Sequence, residues 1–213
     1  MRIHVNRHLL SICRTIHVYL TMMGLGVLLF FGITGFTVNH EDWFGATRPV
    51  VTDTSGQTPV ELLAKGDSLR IVEHLRAAFH VSGAMTDFSD DGDNFSVSFK
   101  DPGQLWEIEI EKATGKTRVH NEAYNFAAII NNLHRGRYAG PAWSWIIDIS
   151  ACFIVLACAT GIVLWLALPR RRMIGVSALL LGTVGVLLIY HFLIPGPDAA
   201  VPAIKTSESK AAP

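Results

Sequence analysis

Histidine is the residue type whose positions in this sequence most suggest chemistry. Nine histidines are present, and four of them flank or enter long apolar runs: His17, His40, His134 and His191. An imidazole changes charge near neutral pH and is a common metal ligand. Two imidazoles held by neighbouring membrane helices usually bind haem iron. These four histidines are therefore the candidate site residues, with haem b as the expected cofactor.

Three apolar runs are long enough to carry these histidines across or into a membrane. A helix needs about 20 apolar residues to cross a hydrocarbon core of roughly 30 Å. The runs predict transmembrane helices at residues 18–40, 141–168 and 173–195. The last two are joined by a turn so short that the helices must be antiparallel. The lipid bilayer is thus the first predicted partner of the chain.

Basic residues predict the orientation of these helices. They precede the first run and fill the turn between the last two: Arg2, Arg7, Arg14, Arg170, Arg171 and Arg172. Basic residues beside membrane helices stay in the cytoplasm, which places 1–17 and 169–172 there. Residues 41–140 and a disordered polar tail, 196–213, are then outside, which in a bacterial cell is the periplasm. A cleaved signal peptide is disfavoured, because the first run is too long and lacks a small-residue cleavage site.

The external segment predicts a small α+β domain. Asp67 precedes an amphipathic helix whose apolar stripe is Leu69, Val72, Leu75 and Phe79. The alternating runs NFSVSFK and LWEIEIE then predict antiparallel strands, and YNFAAIINNLH predicts a second amphipathic helix. His74, His80 and His120 are each isolated in sequence and are predicted to be surface residues. The acidic stretch DFSDDGD is predicted to be a solvated turn, because it lacks the ligand spacing of a calcium loop.

The spacing of the four candidate histidines limits which of them can share an iron. His17 and His40 are about 34 Å apart along a helix, so they cannot ligate the same haem. His40, His134 and His191 fall at the same predicted outer face. One haem there would use His191 and either His40 or His134. The competing interpretation is that water or lipid headgroups satisfy each imidazole without any cofactor.

Asp148 is the single acidic residue in the second apolar run and requires a partner there. Ser144, Asp148 and Cys152 share one helix face, which is expected to point into the bundle. Asp148 either orients a ligating imidazole from the second coordination shell or pairs with Arg135 or Arg137. The ion pair is slightly favoured.

Three motifs resemble the PepSY-associated transmembrane family. They are the His17 segment followed by ITGFTVNH, the LHRG segment at His134, and the run from Asp148 to Trp165 that ends in TGIVLW. The resemblance covers most of the chain except the polar tail. It implies a bacterial inner-membrane protein with an external PepSY domain. Larger members of the family include haem-containing reductases that pass electrons to periplasmic ferric siderophores.

The resemblance implies that His17, His40, His134 and His191 are the haem ligands in this chain. The chain departs from the larger members because it lacks a second inner-face histidine to partner His17. A complete electron path would therefore need a homodimer, a partner subunit or a non-histidine ligand.

Two functions follow from these patterns. The first is a b-type haem protein in electron transfer, as a ferric reductase or a subunit of one, with a ferric siderophore as substrate. The alternative is a non-catalytic accessory protein whose PepSY-like domain binds a protein or peptide. The predicted fold in both cases is a bundle of three membrane helices with a small external α+β domain. No nucleic-acid partner is predicted, although the zero net charge by itself says nothing about nucleic acid.

Overall fold

The structure is a computed structural model that describes residues 7–168 and 171–194. Its elements in chain order are α1 (Arg7–Asn39), a short 3-10 helix (Glu41–Phe44), β1 (Val50–Gln57), α2 (Val60–Ala64), α3 (Ser68–Phe79), β2 (Ala84–Asp90), β3 (Asn94–Lys100), β4 (Gln104–Glu111), β5 (Lys116–Ala123), α4 (Phe126–Arg135), α5 (Gly140–Leu166) and α6 (Arg172–Leu193). Of the described residues, 17–158 form one compact unit, and 7–16 with 159–168 and 171–194 form the other.

Three helices, α1, α5 and α6, are long and apolar enough to cross a membrane. They confirm that the three apolar runs are helical. α1 begins at Arg7, well before the predicted boundary at residue 18, because the polar segment ahead of the apolar run contains no proline or glycine that would stop a helix. Arg2, Arg170 and the predicted disordered tail lie outside the described residues.

The domain between α1 and α5, which was predicted to be external, is built on a five-stranded antiparallel sheet with strand order β1-β5-β4-β3-β2. β3 and β4 confirm that the alternating runs NFSVSFK and LWEIEIE form strands. The sequence missed β1, since its residues are almost all exposed and show no apolar alternation. The acidic stretch predicted as a turn is half strand, because β2 continues to Asp90 and only the residues after it turn.

One face of the sheet carries the hydrophobic core. Phe99, Ile110, Ile71 and Leu75 are all 0% exposed, and the last two come from α3. The Asp67 carboxylate caps α3 by accepting a hydrogen bond from the Arg70 amide at 3.3 Å, as the sequence predicts. Leu69 was wrongly placed in the buried stripe: it is 68% exposed, because the stripe is centred on Ile71 and Leu75. This packing fixes the helix to one side of the sheet.

The opposite face of the sheet is polar and open. Cross-strand pairing aligns Asp53, His120, Glu107 and Ser98 in one row across four strands. The neighbouring row contains Ser55, Arg118, Glu109 and Ser96. Because successive strand residues point to opposite faces, these rows lie on the side away from α3.

Candidate functional site

α4 places His134 against α1 within the unit formed by residues 17–158. The Asn125 side chain caps the helix by accepting a hydrogen bond from the Ala128 amide at 3.0 Å. Gly136, with a φ of 68°, ends the helix in the left-handed conformation. Asn131 and His134 lie one turn apart and so share a face, which meets the C-terminal end of α1.

The hydrogen bonds of His134 bear on which ring nitrogen carries the proton. The Thr34 hydroxyl donates its only hydrogen to the Phe30 carbonyl at 2.6 Å, since a carbonyl cannot be a donor. With the hydroxyl hydrogen used there, the 2.7 Å contact between Thr34 Oγ1 and His134 Nδ1 is donated by Nδ1–H. A neutral His134 then keeps a lone pair on Nε2, the atom with which such a tautomer binds a metal.

Packing holds the His134 ring close to the α1 backbone. A Cβ added to Gly35 would lie 3.5 Å from His134 Cε1, so the ring is already near the helix at this position. Phe31 meets the same imidazole edge to face, with ring centroids 5.1 Å apart. The edge formed by Nδ1 and Cε1 therefore faces α1.

His17 has the same tautomer at the other end of α1. Its Nδ1 lies 3.1 Å from the Ala157 carbonyl oxygen, which can only accept, so Nδ1–H is the donor. This bond ties α1 to α5. His17 and Thr34, the partner of His134, are separated by about 25 Å of helix. His17 and His134 are thus two separate positions and do not form one site.

His40 lies on a different side of α1 from His134. Its ring stacks on Trp43 at 4.0 Å and approaches Phe36 at 4.7 Å. At about 100° per residue, His40 faces roughly 120° away from Thr34. The structure therefore does not bring His40 and His134 together. His191 belongs to the other unit, where it is exposed on α6 and meets the Phe192 ring at 4.8 Å.

Asp148 is exposed on α5, and so are Ser144 and Cys152 on the same helix face. The face that was expected to point inward is therefore not packed within this unit. Arg135 pairs with Glu41 instead, with Nη2 and Oε1 2.6 Å apart. Among the described residues, Asp148 has no hydrogen bond or ion pair, so the favoured pair with Arg135 or Arg137 is absent.

The open sheet face contains a histidine that sequence reasoning treated as isolated. His120 Nδ1 lies 2.6 Å from Asp53 Oδ1, and its Nε2 lies 3.7 Å from Glu122 Oε1. Glu107 is its cross-strand neighbour on β4. Asp53, Glu107 and His120 line a shallow concavity of about 500 Å³. The contact with Asp53 was missed because β1, the strand that carries Asp53, has no recognisable sequence pattern.

Electrostatics on this face favour the imidazolium form of His120. The hydrogen bond to the Asp53 carboxylate raises the pKa of His120, and the carboxylate of Glu122 adds to the effect. On the neighbouring row, Arg118 pairs with Glu109 at 3.2 Å. The concavity therefore combines acidic side chains with one histidine that titrates above its usual range.

Comparison with known families agrees with the resemblance seen in the sequence motifs. The family model described as "Putative PepSY_TM-like" matches residues 11–195. No curated protein and no solved structure matches the chain.

Replacing Asp53 with Asn should lower the pKa of His120 toward its ordinary value, because the largest cause of the increase is removed. In the wild type, the imidazolium stabilises the fold fully below the unfolded-state pKa, and this contribution is lost as the pH rises through the folded-state pKa. NMR titration of the imidazole in the full chain measures the change. Asp87→Asn, which removes a carboxylate of the same face that does not contact His120, is the control. An unchanged midpoint in Asp53→Asn would contradict the assignment.

Proposed function

We propose that this chain, which belongs to the PepSY_TM-like family, is a membrane-anchored binding module whose open sheet face receives a basic segment of a partner protein. The proposal rests on one row of side chains across the open sheet face, Asp53, His120, Glu107 and Ser98, which we call the acidic row. In it, Asp53 and Glu107 flank His120. An antiparallel sheet often leaves one face in water, so openness alone would not suggest binding. The charge and the concavity of this face are the distinguishing features.

The size of the face indicates the kind of contact that it would make. Five strands spaced at about 4.8 Å, each roughly 25 Å long, give an area of about 500 Å². Stable protein interfaces bury roughly 800 Å² on each partner. The face therefore suits a weak, reversible contact with a short segment, which electrostatic attraction would bring to the site quickly.

The membrane helix α1 would determine where such a contact forms. The polar hydrogen bonds between α4 and α1 hold the domain at the end of a helix long enough to cross a membrane. A module of this kind would recognise a partner in the same membrane or beside it. The predicted orientation places the domain in the periplasm.

Cross-linking in intact membranes tests this function. A photoreactive residue at Ser98, on the open face, should form an adduct with one discrete protein. Asp53→Asn combined with Glu107→Gln should reduce that adduct by about fivefold, since two exposed charge contacts contribute roughly 1 kcal/mol. The same photoreactive residue at Leu69, on the exposed side of α3, is the control position. Equal adducts from both positions, or no effect of the charge substitutions, would contradict the proposal.

A second candidate function, haem b binding in electron transfer to a ferric siderophore, is supported by the tautomer of His134. Ligating histidines commonly donate Nδ1–H to an oxygen and bind iron through Nε2, which is the arrangement in which Thr34 Oγ1 accepts from His134 Nδ1. Residues 17–158 present no second imidazole on the side of α1 where His134 lies. A second ligand would therefore come from outside this unit, and His191 is the ligand that the sequence predicts. Haem would supply one-electron transfer.

Reduced-minus-oxidised spectra of the full chain in mild detergent test the haem candidate. The wild type should show b-type absorption that is lost in His134→Ala. His40→Ala should retain it, because His40 lies on a different side of α1. The result that would refute the candidate is an absence of haem absorption in the wild type, or a spectrum that His134→Ala leaves intact.

A further inference from the structure

A pocket of about 360 Å³ lies where the external domain joins α1 and α5. It is lined by residues that directly follow α1, by the loop between β3 and β4, and by the segment from α4 toward α5. All of these segments belong to the unit formed by residues 17–158. The segments after α1 and before α5 place the pocket at the level where a membrane headgroup layer would begin.

The acidic side chains of this pocket are already occupied. Glu41 accepts from Arg135 at 2.6 Å. Asp101 Oδ1 accepts from the backbone amides of Gly103 and Gln104 at 2.8 and 2.7 Å. Its Oδ2 accepts from the Ser82 hydroxyl at 2.7 Å. The donors to Asp101 are neutral and leave its charge in place, so three basic and two acidic side chains line the pocket and one positive charge is in excess.

Two basic side chains of the pocket remain without an acidic partner. Among the described residues, Lys100 and Arg137 form no ion pair. Lys100 Nζ lies 5.5 Å from the centroid of the Tyr138 ring. Lys and Arg are the side chains that bind phosphate oxygens most strongly, Arg through parallel hydrogen bonds. The excess positive charge of the pocket, with two basic side chains outside any ion pair, is thus suited to a phosphate.

Tyr138 indicates that the geometry of this segment is constrained. Its φ of 59° is in the left-handed region, which is unfavourable for a residue with a Cβ. Tyr138 directly follows Arg137, and Lys100 Nζ lies over the Tyr138 ring. A tyrosine before a membrane helix is also typical of the bilayer interface. Strain of this kind persists where the surrounding structure requires a particular arrangement.

We propose that this junction pocket binds the phosphate of an anionic phospholipid headgroup through Lys100 and Arg137. The chemistry that recognises the ligand is that of a phosphate oxyanion, which soluble phosphate shares. The position of the pocket between the external domain and two membrane helices favours the lipid. Binding there would hold the external domain in register with the membrane surface, and it depends on neither function proposed above.

Native mass spectrometry of the full chain in a neutral detergent tests the proposal. The probes are phosphatidylglycerol and phosphatidylcholine with the same acyl chains. The wild type should retain phosphatidylglycerol more strongly than phosphatidylcholine. Lys100→Gln with Arg137→Gln should weaken retention of phosphatidylglycerol by about fivefold, because two exposed charge contacts are lost. Lys100→Arg with Arg137→Lys should keep most of the binding.

The matched control is Lys65→Gln with Lys116→Gln, which removes the same charge from exposed positions outside the pocket. An equal loss in the control and the pocket variant would overturn the proposal, and so would no loss in the pocket variant. Displacement of the lipid by inorganic phosphate would overturn the lipid assignment and make soluble phosphate the ligand. If the double variant fails to fold, Arg137→Gln alone repeats the test at an exposed side chain, with a loss of about twofold expected.

Discussion

The attachment of α4 to α1 through buried polar groups is the constraint on which the rest of this structure depends. Thr37 Oγ1 lies 2.7 Å from Asn131 Oδ1 and 2.8 Å from the Thr34 carbonyl oxygen, and the Thr37 and Asn131 side chains are both buried. One turn away, Thr34 forms a hydrogen bond with His134. After the end of α1, Glu41 forms an ion pair with Arg135. A buried donor or acceptor that loses its partner costs about 1–3 kcal/mol, so only one register of the two helices satisfies all three pairs. That register fixes the external domain on its membrane anchor.

The attachment of α4 to α1 also determines which surfaces of the domain are accessible to a ligand or partner. With α3 covering one face of the sheet, the acidic row around His120 remains accessible on the other. The pairing of Glu41 with Arg135 also leaves Lys100 and Arg137 as the cations of the junction pocket that form no ion pair among the described residues. A partner protein at the sheet and a phosphate at the junction would therefore be recognised by separate groups of one compact unit.

Sequence patterns predicted the elements that are driven by apolar periodicity and missed those that are not. The three long helices, α3 with its Asp67 cap, and strands β3 and β4 were all visible, because burial imposes a period on their side chains. β1 was invisible because it is an exposed edge strand. The Asp53–His120 contact depended on β1, and the partners of His134 depended on helix packing. Neither could be found from spacing alone, since residues far apart in sequence meet only through the tertiary fold.

A double-mutant cycle on Thr37 and Asn131 tests the central claim most directly. Hydrogen exchange of α4 in the full chain would give the opening free energy for Thr37→Val, Asn131→Ala and the combined variant. Each single substitution should lower that free energy by about 1–3 kcal/mol, and the combined loss should fall short of their sum by at least roughly 0.5 kcal/mol. Losses that add within about 0.3 kcal/mol would show that the two side chains do not hold α4 on α1 as a pair.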